Sequence, residues 1–292
     1  LDVELPLQLI VSGLLIGGIY GLSAIGLSLA WGVMKVINAA HGDLIMLGAY
    51  MSYELFIRFG LNPLQSLLIV LPVSVALGAV TYRITIRKLL MERELPPELM
   101  TLIMMFGVAA IIYGLSAYIW GKDIRGIPFV LPSVTVGFIT IPLTRLLAFT
   151  IAVLFTLILH LMLKRTYVGK AIRALAQNRD ATMVTGVNPD SLYLLTFTIS
   201  FLYAFAAGVM VSIVSPGLNP YLGTQYVGRA FAIVVLGGLG NPVGTMVGGL
   251  ILGVTEGIAS LYITYGFVPA IAFILLILVL IFKPTGLFAP MR

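Results

Sequence analysis

Cysteine is absent from the 292-residue chain, and only two histidines occur, His41 and His160. Disulfides, thiolate metal sites, iron–sulfur clusters and cysteine nucleophiles are therefore excluded, and two histidines leave little for a metal centre. Charge is scarce as well: Asp, Glu, Lys and Arg make up 10% of the residues, where a soluble domain carries roughly 25%. Signatures of catalysis are missing. Gly121-Lys122 and Gly169-Lys170 lack the upstream glycine spacing and the following Ser or Thr of a phosphate-binding loop. The glycines of Leu236-Gly237-Gly238-Leu239-Gly240 do not make a dinucleotide fingerprint, and no nucleophile elbow, paired zinc histidines or calcium loop is present. These absences exclude a soluble enzyme and give no reason to expect a bound cofactor or metal.

What the chain has is hydrophobicity, at 60% of residues. Uncharged runs cover Leu5 to Met34, Phe59 to Tyr82, Leu99 to Gly121, Leu146 to Leu163, Ser191 to Gly228, Ala230 to Thr255 and Gly257 to Phe282. Each is long enough to span a bilayer, which takes roughly 20 residues of helix. A shorter apolar segment from Leu44 to Phe59, interrupted by Glu54 and Arg58, reads as a further span packed inside a bundle. The fold class is thus an all-α polytopic transmembrane bundle of about eight or nine segments, one of them short or re-entrant, forming a single domain over residues 1–292. Gly126 to Thr144 is also uncharged, but Pro128, Pro132, Pro142 and a β-branched stretch between Gly126 and Gly137 argue against helix. That run is expected to be an ordered external loop. Ser215-Pro216-Gly217-Leu218-Asn219-Pro220 ends a span near Val214.

Eleven of the seventeen Lys and Arg residues fall in three places: Arg83 to Arg93, Lys164 to Arg179, and the end from Lys283 to Arg292. The net charge of +6 therefore reports topology and not nucleic-acid binding, because basic connections stay in the cytoplasm. Arg83 to Glu98 and Lys164 to Asp190 are expected inside, the N-terminus outside and the C-terminus inside. This count needs a short or re-entrant piece around Val227 to Leu239, a span around Val243 to Leu261 and a last span around Phe267 to Phe282. The opening Leu1-Asp2-Val3-Glu4 is acidic and lacks a basic leader, so the first apolar run is expected to be kept as a helix.

Glycines repeat every fourth residue at Gly13, Gly17 and Gly21, at Gly240, Gly244 and Gly248, and at Gly249, Gly253 and Gly257. Such rows let helix backbones approach closely in lipid, within one bundle or between subunits; exposed backbone lining a pathway is the sharper reading. Between two apolar segments lies the polar break Met34-Lys35-Val36-Ile37-Asn38-Ala39-Ala40-His41-Gly42-Asp43. Asn38 is expected to cap a helix beginning at Ala39. The break is either a tight surface turn or a half-helix end at a substrate path, and these readings stay equally open. Glu256 sits in a glycine-rich apolar helix, where an ionisable group needs a partner; Arg229 and Lys35 are the candidates, and a structural ion pair is favoured over a pathway role. His160 is expected at the interface. Gly169 to Asn188 is alanine-rich and amphipathic and ends at a glycine, so it reads as a short helix on the membrane surface, either merely solvated or a docking element for a soluble partner.

Taken together, Gly32 to Asp43, Gly169 to Asn188, Leu236 to Gly249 with Glu256, and Lys283-Pro284-Thr285-Gly286-Leu287-Phe288 resemble the permease subunits of branched-chain amino acid ABC importers of the LivH type. The resemblance covers essentially the whole chain. It implies an ABC importer permease fold, a second related or identical permease, two cytoplasmic ATPases that use ATP and magnesium, an external substrate-binding protein, and the plasma membrane of a prokaryote. This chain would bind no cofactor itself. Ala174 to Gly186 would form the coupling helix, with Arg173, Ala174, Ala176, Asp180, Ala181 and Gly186 facing the ATPase. Asn38, His41, Gly42, Asp43, Gly237, Gly238, Gly240 and Glu256 would lie on or near the translocation path. Asp43 stands where the family pattern often carries Glu, which preserves the charge. With so few polar groups in the spans, substrate choice is expected to rest with the external protein. Urea and short-chain amide importers are the nearest alternative, sugar importers a more distant one, and an ATPase-independent transporter or channel, with Glu256, His41 or Asp43 as ion site, the reading from another class.

Overall fold

The computed structural model describes residues 4–91, 97–215 and 217–288. Leu1 to Val3, Arg93, Pro216 and Arg292, which entered the sequence reading, lie outside the described residues. The elements are α1 (Glu4–Met34), α2 (His41–Phe59), α3 (Pro63–Thr81), a π-helical turn (Tyr82–Ile86) leading into α4 (Arg87–Met91), α5 (Pro97–Trp120), β1 (Ser133–Val136), β2 (Ile139–Pro142), α6 (Leu143–Arg165), α7 (Tyr167–Gln177), α8 (Arg179–Val184), α9 (Pro189–Val214), α10 (Leu222–Gly237), α11 (Pro242–Ala259) and α12 (Ala270–Phe282). Six of these segments are long and apolar enough to cross a membrane: α1, α3 with its extension to Leu90, α5, α6, α9 and α11. Helix α2 has 19 residues, and α10 and α12 are shorter apolar helices. Among the described residues the bundle is all-α apart from one hairpin.

Local chemistry explains the boundaries. Asn62 and Gln65 form a reciprocal capping box at the start of α3, with Asn62 Oδ1 accepting from the Gln65 N–H at 2.9 Å and Gln65 Oε1 accepting from the Asn62 N–H at 3.0 Å. The run expected as a loop contains β1 and β2, paired from Ser133↔Pro142 to Val136↔Ile139 around a turn at Gly137. The Gln8 side chain ties this hairpin to α1 by two 2.8 Å hydrogen bonds to the Thr140 backbone. One end of the bundle therefore carries the hairpin, and the opposite end carries α7 and α8.

Packing is organised by glycine. Helices α1 and α11 run antiparallel, with Gly13 against Gly253, Gly17 against Gly249, Gly21 against Met246 and Gly257 against Leu9. The glycine rows thus serve contact within the chain, where lipid supplies no hydrophobic drive. Helices α2 and α9 run parallel, with Gly48 against Phe205 and Gly208, and Ser52 against Ser212. Ser52, Ser66 and Ser212 join α2, α3 and α9 through hydroxyl contacts of 3.0 and 3.3 Å. In their most apolar stretches α9 is 83% buried and α5 only 17%. The core therefore sits around α9 and α1, and α5 and α12 turn Ile103, Phe106, Ile111, Ile277 and Ile281 outward.

Candidate translocation site

Helix α1 ends at Met34, and Lys35 follows in a left-handed conformation, φ +58, that a glycine would adopt with less strain. The chain then folds back along α1. His41 Nε2 donates to the Ser23 carbonyl at 2.6 Å, and the Ile37 N–H meets Thr101 Oγ1 at 3.3 Å. Ser23 lies eleven residues before Met34, about 16 Å along a helix. Helix α2 accordingly starts beside the middle of α1 and not at its end, which decides against a surface turn.

The expected Asn38 cap does not form. Helix α2 starts at His41 and not at Ala39; the cap position is Ala40, with no side-chain hydrogen bond. Asn38 contributes its backbone carbonyl, which accepts from the His41 N–H at 3.2 Å, because its fully buried side chain points elsewhere. Both polar atoms of that side chain, His41 Nδ1 and Ser200 Oγ find no partner among the described residues. Buried polar atoms are nearly always satisfied, and each orphan costs roughly 1–3 kcal/mol. The first turn of α2 also meets the first turn of α10. A Cβ on Gly42 would collide with the Gly223 carbonyl, and one on Gly223 with Asp43. Asp43 is half-buried, in the first turn of α2, and forms no hydrogen bond or ion pair among the described residues.

Gly237, Gly238 and Gly240 lie at the turn from α10 into α11, where Gly240 packs on Gly32 of α1. Gly237 closes α10 against Gly244 and Thr245. Gly238 and Gly240, with φ +89 and +77, make the turn into α11, and the Gly240 N–H donates to Ser28 Oγ at 3.1 Å. Glu256 is elsewhere, at the hairpin end. Its Oε1 accepts from Arg229 Nε at 2.9 Å and its Oε2 from the Tyr20 hydroxyl at 2.8 Å, while the guanidinium lies 5.2 Å over the Tyr20 ring. Arg229, not Lys35, is therefore the partner, and the pair is buried, at 12% and 7% side-chain exposure. The residues expected along one path thus fall in three places: Asn38 to Asp43 at the start of α2, Gly237 to Gly240 at the turn into α11, and Glu256 at the hairpin end.

At the opposite end the single helix expected over Ala174 to Gly186 is two. Asn178 breaks it: its Oδ1 accepts from the Ala181 N–H at 3.0 Å and starts α8, since a short polar side chain competes for backbone donors. Ile172 and Leu175 anchor α7 inward. Arg173, Ala174, Asp180 and Ala181 are exposed, Ala176 is half-buried, and Gly186 turns the chain at φ +80. Sequence reasoning missed the apolar tip of α8, where Val184 is 89% and Met183 42% exposed. It also missed Tyr20, for which no signal existed, and Arg145, whose signal was a lone charge three residues after Pro142. No cluster of three metal-ligating side chains occurs among the described residues.

A connected architecture of this kind has known relatives. Residues 9–283 match the family described as branched-chain amino acid transport system permease component. The chain belongs to this family. It is 31% identical to the high-affinity branched-chain amino acid transport system permease protein BraD of Pseudomonas aeruginosa, over 96% of this chain and 95% of that protein. It is 29% identical to LivH of Escherichia coli K12, over 96% and 94%. A shorter stretch, 32% of this chain, is 37% identical to the ribose import permease protein RbsC of Escherichia coli. No solved structure matches. The permease is a multi-pass membrane subunit of an ABC transport system and not itself an enzyme.

Proposed function

We propose that this permease carries leucine, isoleucine and valine through the plasma membrane of a prokaryote by alternating access, as one of two permeases assembled with two cytoplasmic ATPases and an external binding protein. The observation that carries the reading is the agreement, over nearly the whole chain, with permeases named for branched-chain amino acid transport. The relatives' names lend no support to urea, amides or an ATPase-independent route. ATP and magnesium belong to the ATPases. The N-terminus and hairpin face outside, the C-terminus, α7 and α8 the cytoplasm, in keeping with the basic residues of the connections at that end.

Two parts of the fold support a mechanism. The pair α7 and α8 offers Ala174, Ala181, Met183 and Val184 to an ATPase groove, with Arg173, Ala176, Asp180 and Gly186 around them. Asn38, His41, Gly42 and Asp43 at the start of α2, and Gly237, Gly238 and Gly240 at the turn into α11, form the elements that exchange between inward-open and outward-open states. Their unsatisfied polar atoms favour a second state in which the same atoms meet water or substrate, and ATP binding shifts the populations. Replacing Ala181 with Trp tests the coupling. The expected result is loss of ATPase assembly or uptake with an unchanged melting profile of the permease; full assembly and uptake, with no crosslink from Val184→Cys to an ATPase, would refute it.

A further inference from the structure

At the hairpin end, α1, α6, α10, α11 and the 260–269 connection surround a cavity of about 460 Å³, within the size range of small-molecule sites. Its polar groups are unusually charged for a membrane-embedded bundle, and they do not cancel. Glu256 is neutralised by Arg229, but Arg145, which also lines the cavity, bonds only the Ser12 hydroxyl and meets no carboxylate among the described residues. A guanidinium has five N–H donors, so most of Arg145's remain open. Glu256 accepts one bond at each oxygen and has lone pairs left, and it too lines the cavity. Leu9, Ile16 and Val268 supply an apolar wall, and Gly13, Gly253 and Gly257, packed in the seam of α1 and α11, line it with backbone.

Donors for a carboxylate, acceptors for an ammonium and an aliphatic wall coexist in one small space. We propose that this cavity is a binding site for a small zwitterionic α-amino acid with an aliphatic side chain, Arg145 holding its carboxylate, Glu256 receiving its ammonium, and Leu9, Ile16 and Val268 its side chain. The inference rests on the proposed function and deepens it. It places a second recognition step in the permease, after the external protein and apart from the first turn of α2.

The test uses the full-length chain assembled with its ATPases in nanodiscs, without nucleotide, and measures equilibrium binding of tritiated L-leucine. Saturable binding is expected, displaced weakly by 4-methylpentanoate or 3-methylbutylamine, which each keep one charge, and not by phosphoethanolamine, the probe for a lipid headgroup. Arg145→Gln should weaken binding roughly thirtyfold, the loss of one charge-assisted bidentate contact, with partial recovery in Arg145→Lys. Ile16→Trp, which fills the cavity and leaves every charge in place, should abolish it. Leucine binding unchanged in both Arg145→Gln and Ile16→Trp, or displacement by phosphoethanolamine in preference to leucine, would overturn the site. Uptake by the complete parent importer is measured alongside. Leucine uptake without saturable binding overturns this inference alone; absence of both uptake and binding overturns the proposed function with it.

Discussion

The antiparallel seam of α1 and α11 gives a prediction whose size follows from distances. A methyl added at Gly17 would lie 2.8 Å from both the Gly249 carbonyl oxygen and Leu250 Cα, and one at Gly13 would lie 2.5 Å from the Gly253 oxygen. Ordinary contact begins at 3.4 Å, so the helices must part by about 0.6 Å at Gly17 and about 0.9 Å at Gly13 to admit it. The obstacle is backbone on both sides and no rotamer can relieve it. Overpacking of this kind costs roughly 1–3 kcal/mol, or a fall on the order of 5 °C in melting midpoint for a chain of this size. Gly107 in α5 is the control: nothing lies within 4 Å of its added Cβ, and alanine there is helix-favouring by about 1 kcal/mol at most. The assay is the apparent melting midpoint in detergent at a fixed heating rate. The expected order is Gly13→Ala lowest, Gly17→Ala next, and Gly107→Ala at or above the parent. Equal midpoints for all three would refute the seam.

Removing one partner of the Arg229–Glu256 pair strands a buried charge. Arg229→Leu alone should lower stability by roughly 3–5 kcal/mol, and Arg229→Leu with Glu256→Leu should recover most of it; a double variant no more stable than the single, by the same melting assay, would contradict the pairing. Asn38→Leu removes unsatisfied buried atoms and should raise the melting midpoint while lowering uptake, because the polar group serves the second state; unaltered uptake would count against that role. For topology, Val184 is the site of choice, since it is 89% exposed. Val184→Cys, in a chain with no other cysteine, should react with an impermeant maleimide in inverted vesicles and stay unlabelled in intact cells.

Much of the fold was legible in the residues because lipid imposes simple rules. Uncharged runs marked the long helices, Val214 was the right end for α9, and four-residue glycine spacing foretold close helix contact. The site was legible only in part. Asn38 has the side chain of a cap, yet helix α2 starts three residues later, because the return of the chain along α1 and the His41–Ser23 bond set the starting point. Asn178 looked like one polar residue inside an amphipathic helix, although it ends α7 and caps α8. Glu256 was recognisable as needing a partner, but choosing Arg229 over Lys35 required knowing that α10 and α11 are neighbours and that Lys35 is at the other end of α1. Arg145 and Tyr20 come together with Glu256 only through tertiary packing, which no local pattern encodes.

As proposed, the permease is the gate of a binding-protein-dependent, ATP-driven importer of branched-chain amino acids. The most direct test is reconstitution of the permease with its partner permease, ATPases and binding protein in liposomes, and measurement of leucine and urea uptake with and without ATP. The expected result is leucine uptake that needs both ATP and the binding protein, with no uptake of urea. Uptake of urea in preference to leucine, or leucine uptake that proceeds without ATP, would contradict it.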